Sequence, residues 1–206
     1  MEAVSIGLVG FGTVGSAFYK LVAGNGDGIA AKTGIRPRIA RIGVRDPSRS
    51  REGAPRSLFC AGYEAILADP AIDIVVELAG GIDAPRDLIT RALRAGKHVV
   101  TANKALLAEH GKELFAEAAR AGRELKFEAS VGGGVPVIKV IRESLMGNRI
   151  LSVGAIPIEK KNYILTRMSE RGVGFAASRA DPPGARFTEA QPPLDVLRRY
   201  DAQMLS

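Results

Sequence analysis

Among its 206 residues the sequence has a single cysteine, Cys60. That excludes an internal disulfide framework and fits a reducing compartment. No apolar run approaches the ~20 residues that a membrane span requires. The opening MEAVSIGLVG lacks the basic n-region and cleavage pattern of a secretory signal. A cytoplasmic protein with no membrane partner is the expectation. Aromatic residues make up only 5% of the chain, and its arginines are scattered rather than clustered. Both features argue against a nucleic-acid face. There are no internal repeats. What is present is ordinary for a globular chain, at 46% apolar and 25% charged residues. The length allows one good core, or one domain and part of a second. The net charge of +7 is the one bulk hint of an anionic partner. A phosphorylated cofactor would account for some of that excess, and a solvated surface for the rest.

The chain reads as strands alternating with helices, which argues for a parallel sheet with crossover helices. Val4 to Val9 has a short buried-strand pattern. Val14, Ala17, Phe18, Leu21 and Val22 then recur at helical spacing, and Asn25 to Gly34 is a Gly-rich loop. Further strands are expected over Arg38 to Val44, Asp73 to Glu77, His98 to Thr101 and Glu124 to Glu128, with a short helix over Tyr63 to Ala68. Pro85 suits a helix first turn, and Gly96 suits the left-handed residue just past that helix. Ala105 to Ala121 reads as a helix closed by Gly122. After Gly132, Gly133 and Gly134, Pro136 opens a helix with Ile138, Ile141 and Leu145 on one face, ended by Gly147. Leu151 to Ile156 restarts a strand, and Asn162 caps a helix over Tyr163 to Arg171. Beyond about residue 173 the text is irregular. It carries two Pro-Pro pairs, and Pro182 and Pro183 would each cost roughly 3 kcal/mol inside a helix. The division expected is a doubly wound domain over 1–130 and a partial second domain over 131–206.

Gly10, Phe11, Gly12, Thr13, Val14 and Gly15 form GxGxxG between a strand and an amphipathic helix. The first glycine permits a tight turn, the second lets backbone approach a pyrophosphate, and the third allows close helix–strand packing. The helix N-terminus supplies N–H groups and dipole. In that context the motif indicates a bound dinucleotide; a purely structural turn is the alternative. For NAD the second strand normally ends in a carboxylate that bonds the ribose 2′-OH. Here it ends in Arg45, with Arg49 and Arg51 close behind, and guanidinium groups favour the 2′-phosphate of NADP. Asp46 keeps NAD in play, and a solvated loop residue is the alternative reading of Arg45.

In VVTANKALLAEHG an apolar strand ends at Lys104, where a helix pattern begins. A lysine at the C-terminal edge of a parallel sheet lies where ligands bind, and there it can polarise a carbonyl or hold an anion. The alternative is a surface lysine.

GFGTVG, ELAGG with AGKHVVTANKALLAEHG, and FEASVGGGVPVIKVIRESLMGN together resemble homoserine dehydrogenase from residue 4 to about residue 153, and NYILTRMSERGVGF and FTEA continue the likeness in fragments. The resemblance implies an α/β, Rossmann-type doubly wound parallel sheet followed by an α+β substrate and dimerisation domain, incomplete here. The implied reaction is NAD(P)-dependent interconversion of L-aspartate 4-semialdehyde and L-homoserine, on the route to threonine, methionine and isoleucine. It also implies a homodimer, and a role for Lys104 facing nicotinamide and substrate. A sodium ion is implied at Glu128, Val131, Gly133 and Val135, held mainly by backbone carbonyls. A hard cation wants oxygen ligands, although Gly132 to Gly134 also reads as a plain hinge. Glu189 and Asp201 match the family's substrate-binding acids.

The likeness then breaks. Glu159, Lys160 and Lys161 stand where the family has small hydrogen-bonding residues, and Leu205 stands where it has a second catalytic lysine, four residues after Asp201. These departures suggest an impaired or truncated member, or a dinucleotide-binding protein without turnover. A dehydrogenase for another small aldehyde, using the Glu159–Lys161 loop, is a third reading.

Overall fold

The computed structural model describes residues 2–153 and the single position Ser169. By its internal contacts the chain divides into two compact units, Met1–Ile138 and Lys139–Ser206. The first unit holds a parallel sheet of six strands: β1 (Glu2–Val9), β2 (Ile35–Val44), β3 (Phe59–Ala61), β4 (Ile74–Glu77), β5 (His98–Thr101) and β6 (Leu125–Lys126). Their spatial order is β3-β2-β1-β4-β5-β6; the parallel pairing is what the alternating pattern predicts, and the order is the Rossmann one that the resemblance implies. The order reverses between β1 and β4, so the ligand-binding crevice of such a sheet opens beyond their C-terminal ends. Among the described residues no helix is long and apolar enough to cross a membrane.

The core follows from strand alternation. Ile6, Leu8, Ile42, Val44 and Val76 cluster on one face, with Phe18, Tyr19 and Phe59 packed against them. On the other face Gly7 and Gly43 admit Ile66 of α2 (Glu64–Leu67). A Cβ on Gly7 would lie 2.4 Å from Ile66 Cγ2. The β1–β2 register slips once, from Ile6↔Ile39 to Gly7↔Arg41, leaving Ala40 as a bulge.

Two helices follow the sequence reading closely. In α3 (Asp83–Arg94), Pro85 lies in the first turn, and Pro85, Leu88, Ile89, Ala92 and Leu93 form its buried stripe. In α4 (Lys104–Ala121), Asn103 Oδ1 accepts the Leu106 N–H at 3.1 Å, and Gly122 closes the helix in the left-handed conformation. Arg86 and Arg94 of α3 pair with Glu113 and Glu117 of α4.

Other elements differ from expectation. The segment Asn25–Gly34 is not a loop: α1 runs from Thr13 to Thr33, and only Gly34 lies outside it, as the left-handed cap. Val22, Gly26, Ile29 and Ala30 keep a helical spacing on the covered side, so packing overrides three poor helix formers. The buried stripe is also rotated from the expected one, for Val14 and Leu21 are exposed while Gly15 and Val22 are buried. The strand expected over Glu124–Glu128 shortens to Leu125–Lys126. Glu128 instead opens a turn of helix, α5 (Glu128–Val131), anchored by Ser130, whose hydroxyl donates to the Thr101 carbonyl. β3, held by its register with Ile42, Gly43 and Val44, was not foreseen. The helix expected after Pro136 is a short α6 (Val137–Lys139) followed by a π-helical turn, with Leu145 N–H on Val140 O at 2.9 Å. Leu151, Ser152 and Val153 are not strand; the remaining expectations after residue 153, including the Asn162-capped helix, lie outside the described residues.

Gly24 and Gly28 are exposed, with nothing within 4 Å of an added Cβ. In a helix, Gly24→Ala and Gly28→Ala should each stabilise by about 0.5–1 kcal/mol, and Gly24→Pro should cost about 3 kcal/mol. Urea denaturation followed by circular dichroism reads both; a tolerated proline would mean this segment is a loop after all.

Candidate functional site

The sequence-expected residues that are described gather at the C-terminal edge of the sheet. Past β1 the chain turns at Gly10, whose φ of 96° is open to glycine and costly for other residues. The Gly10 N–H donates to Gly43 O at 2.9 Å, and Leu78 N–H donates to Val9 O at 2.8 Å, so the turn is tied to the tips of β2 and β4. A Cβ on Gly15 would lie 2.2 Å from Gly10 O, which is the close helix–turn approach expected of the third motif glycine. A Cβ on Gly12 would meet nothing within 4 Å. Gly12 therefore borders open space at the start of α1, and that first turn has no acidic residue and no side-chain cap. The N–H groups of Thr13, Val14 and Gly15 lie in this turn, where an α-helix supplies no acceptors of its own. Open space, uncapped N–H groups and no carboxylate fit a pyrophosphate.

Phe11 packs edge-on against Tyr19 and Phe59, with centroids 5.9 and 5.1 Å away. These rings join the glycine turn to α1 and to the start of β3. Arg45 directly follows the last residue of β2 and is exposed. The neighbouring carboxylate is engaged locally, because Asp46 Oδ1 accepts both the N–H and the hydroxyl of Ser48, at 2.9 and 2.6 Å. Those bonds hold the Asp46 carboxyl below its ordinary range. Arg51 donates to the carbonyls of Asp46 and Arg49 and lies 5.7 Å from the centroid of the Phe59 ring. The strand tip thus presents Arg45 outward, with its one carboxylate turned into a loop.

Lys104 is the first residue of α4 and is 6% exposed. Sequence reading missed the polar residues around it. Glu77, at the end of β4, is fully buried; its carboxylate accepts the Ala79 and Gly80 N–H groups and the Thr101 hydroxyl. Asn103 donates from its side chain to Gly81 O. A glutamate ending the apolar run IVVE, directly before glycines, was the available signal.

The four residues expected to hold sodium share one short stretch around α5. The Glu128 carbonyl accepts Gly132 N–H at 3.2 Å, and the Val135 carbonyl accepts Val137 N–H at 2.8 Å. The Glu128 carboxylate accepts the Ile138 N–H at 2.8 Å. Among the described residues no three His, Cys, Asp or Glu side chains gather as a metal site, so a cation here would rely on backbone oxygens. Glu189, Asp201, Leu205 and the Glu159–Lys161 loop lie outside the described residues.

Comparison with known proteins agrees with this fold. Residues 10–128 match the family model of the homoserine dehydrogenase NAD-binding domain, and residues 136–203 match the homoserine dehydrogenase model. Homoserine dehydrogenase of Corynebacterium glutamicum is 42% identical over 95% of this chain and 44% of its own length. That of Pseudomonas aeruginosa is 39% identical over 95% of this chain and 45% of its own. A crystal structure of a homoserine dehydrogenase from Thiobacillus denitrificans superposes with a TM-score of 0.88 at 36% identity, covering 98% of this chain and 47% of that one. The chain thus spans a little under half the length of these relatives.

The two inner glycines should separate in a stability measurement. Gly15→Ala must displace backbone and should lower unfolding free energy by about 1–3 kcal/mol. Gly12→Ala should cost less than about 1 kcal/mol, the usual loss at a helix cap. Equal urea midpoints for the two variants would contradict the close approach of Gly15 to Gly10.

Proposed function

The chain belongs to the homoserine dehydrogenase family, and from that membership we propose that it serves NAD(P)-dependent interconversion of L-aspartate 4-semialdehyde and L-homoserine, on the route to threonine, methionine and isoleucine. The observation that carries this reading is the open space before Gly12, on the same sheet edge as the buried Lys104. The N–H groups of Thr13, Val14 and Gly15 take the cofactor's pyrophosphate, and Phe11 lies beside it. Arg45 takes a 2′-phosphate, which makes NADP the preferred cofactor. The two bonds from Ser48 to Asp46 Oδ1 support this, because they hold that carboxylate toward its own loop.

The bound cofactor supplies or accepts a hydride. Lys104 supplies positive charge where the aldehyde oxygen gains electron density, and so stabilises the developing alkoxide. Glu189 and Asp201 bind the substrate's polar groups. The carbonyls of Glu128, Val131, Gly133 and Val135 hold a sodium ion, and the second domain, 131–206, forms a homodimer as the family resemblance implies. Leu205, standing where the resemblance expects a second lysine, favours one other reading: a dinucleotide-binding protein without turnover.

Homoserine-dependent reduction of NADP⁺, followed by absorbance on the purified full chain, tests the proposal. Turnover is expected, and Lys104→Ala should lower it by roughly 10²–10⁴-fold. Arg45→Ala should weaken NADPH binding by about tenfold and leave NADH unchanged, the loss of one charge-assisted hydrogen bond. Folded protein that binds NADPH and never turns over would select the binding reading instead.

A further inference from the structure

The proposed chemistry leaves unused a closed circuit of hydrogen bonds under the ends of β4 and β5. Glu77 is 0% exposed, on a strand whose neighbours Val75 and Val76 are core residues. Its Oε1 accepts the Ala79 and Gly80 N–H groups at 2.8 and 3.2 Å, which fixes the loop after β4. Its Oε2 accepts the Thr101 hydroxyl at 2.6 Å. Thr101 Oγ1 in turn accepts the Asn103 N–H at 3.0 Å, and Asn103 Nδ2 donates to Gly81 O at 2.7 Å, back in the loop that Glu77 holds. Asn103 Oδ1 accepts the Leu106 N–H and so starts α4, whose first residue is Lys104. The Ser130 hydroxyl closes the far side on Thr101 O at 3.0 Å.

A hydroxyl has one proton, and here it is committed to a buried carboxylate, which fixes its lone pairs toward Asn103. Remove the hydroxyl and two things fail together. A carboxylate oxygen loses its donor in a site closed to water, and the Asn103 amide loses its acceptor. A loop could be closed by a neutral side chain; a buried charge with three donors makes the arrangement far more rigid, and its output is the start of α4.

We propose that Glu77 and Thr101 are positioning residues that act through Asn103 to hold Lys104 in place at the sheet edge. This rests on the reading of Lys104 as the charged group of the site. Lys97 provides an internal control, being equally buried at the opposite end of β5, where its Nζ donates to Asp69 O and Ile72 O.

The experiment is labelling of lysines in the folded full chain by a water-soluble amine reagent, read residue by residue by mass spectrometry. In Thr101→Val and in Glu77→Gln, Lys104 should react roughly tenfold faster than in the parent chain, while Lys97 stays within about twofold. Thr101→Ser, which restores the hydroxyl, should keep the parent rates at both lysines. Parent-like labelling of Lys104 in the two folded variants would overturn the proposal. So would a parallel rise at Lys97, which marks general loosening, or failure of both variants to fold, which makes the circuit a folding element. Homoserine-dependent NADP⁺ reduction is recorded on the same parent sample. Its absence beside the expected labelling would count against the dehydrogenase reading and leave the positioning role standing.

Discussion

Where α1 leaves the sheet, the hydrogen-bearing Cα of Gly15 rests against the carbonyl of Gly10, at a separation no side chain could share. That contact sets the rotation of a 21-residue helix. With Gly15 turned inward, Val22, Gly26, Ile29 and Ala30 must follow on the same side, and Val14 and Leu21 are carried out to solvent. The same rotation leaves Gly12 at the lip of open space with helix N–H groups behind it. The anion-binding geometry and the packing of α1 on β2 are therefore one constraint seen from two sides.

At the other half of the sheet edge the organising group is a charge. Core strands tolerate a carboxylate only when its hydrogen bonds are made, and Glu77 has donors from a loop and from a neighbouring strand. β5 is thus pinned at both ends by charged residues with opposite demands. At its start Lys97 needs acceptors and finds carbonyls; at its end the carboxylate of Glu77 needs donors and finds Thr101. The strand between is four residues long, so little of it is left to move.

The parallel sheet, the glycine turn and the helices with clean apolar stripes were legible in the sequence because each has a local signal: alternation, punctuation by glycine and proline, or a polar cap. The second half of α1 was not. Gly24, Gly26 and Gly28 signal a loop, and only the covering of Val22, Ile29 and Ala30 in the folded chain reverses it. β3 was illegible for a similar reason, since three residues carry too little periodicity and depend on pairing with Ile42 to Val44. Of the candidate site, Gly10 to Gly15, Arg45 and Lys104 stood out as residue types at strand ends. The tie between Glu77 and Thr101 did not, because a hydrogen bond spanning 24 positions leaves no pattern in either segment.

The bulge at Ala40 has a consequence for side-chain phase. Along β2 the core side is taken by Ile39 before the bulge and by Ile42 and Val44 after it, an odd step from one set to the other. In an unbroken strand Arg41 would stand beside Leu8 in the apolar layer. The extra residue moves it to the opposite face, level with Gly7, where it reaches Asp69 at 3.1 Å. Two short amphipathic stretches of opposite parity are thereby spliced into a single strand, with alanine as the joint, and the sheet gains a salt link without a charge entering its interior.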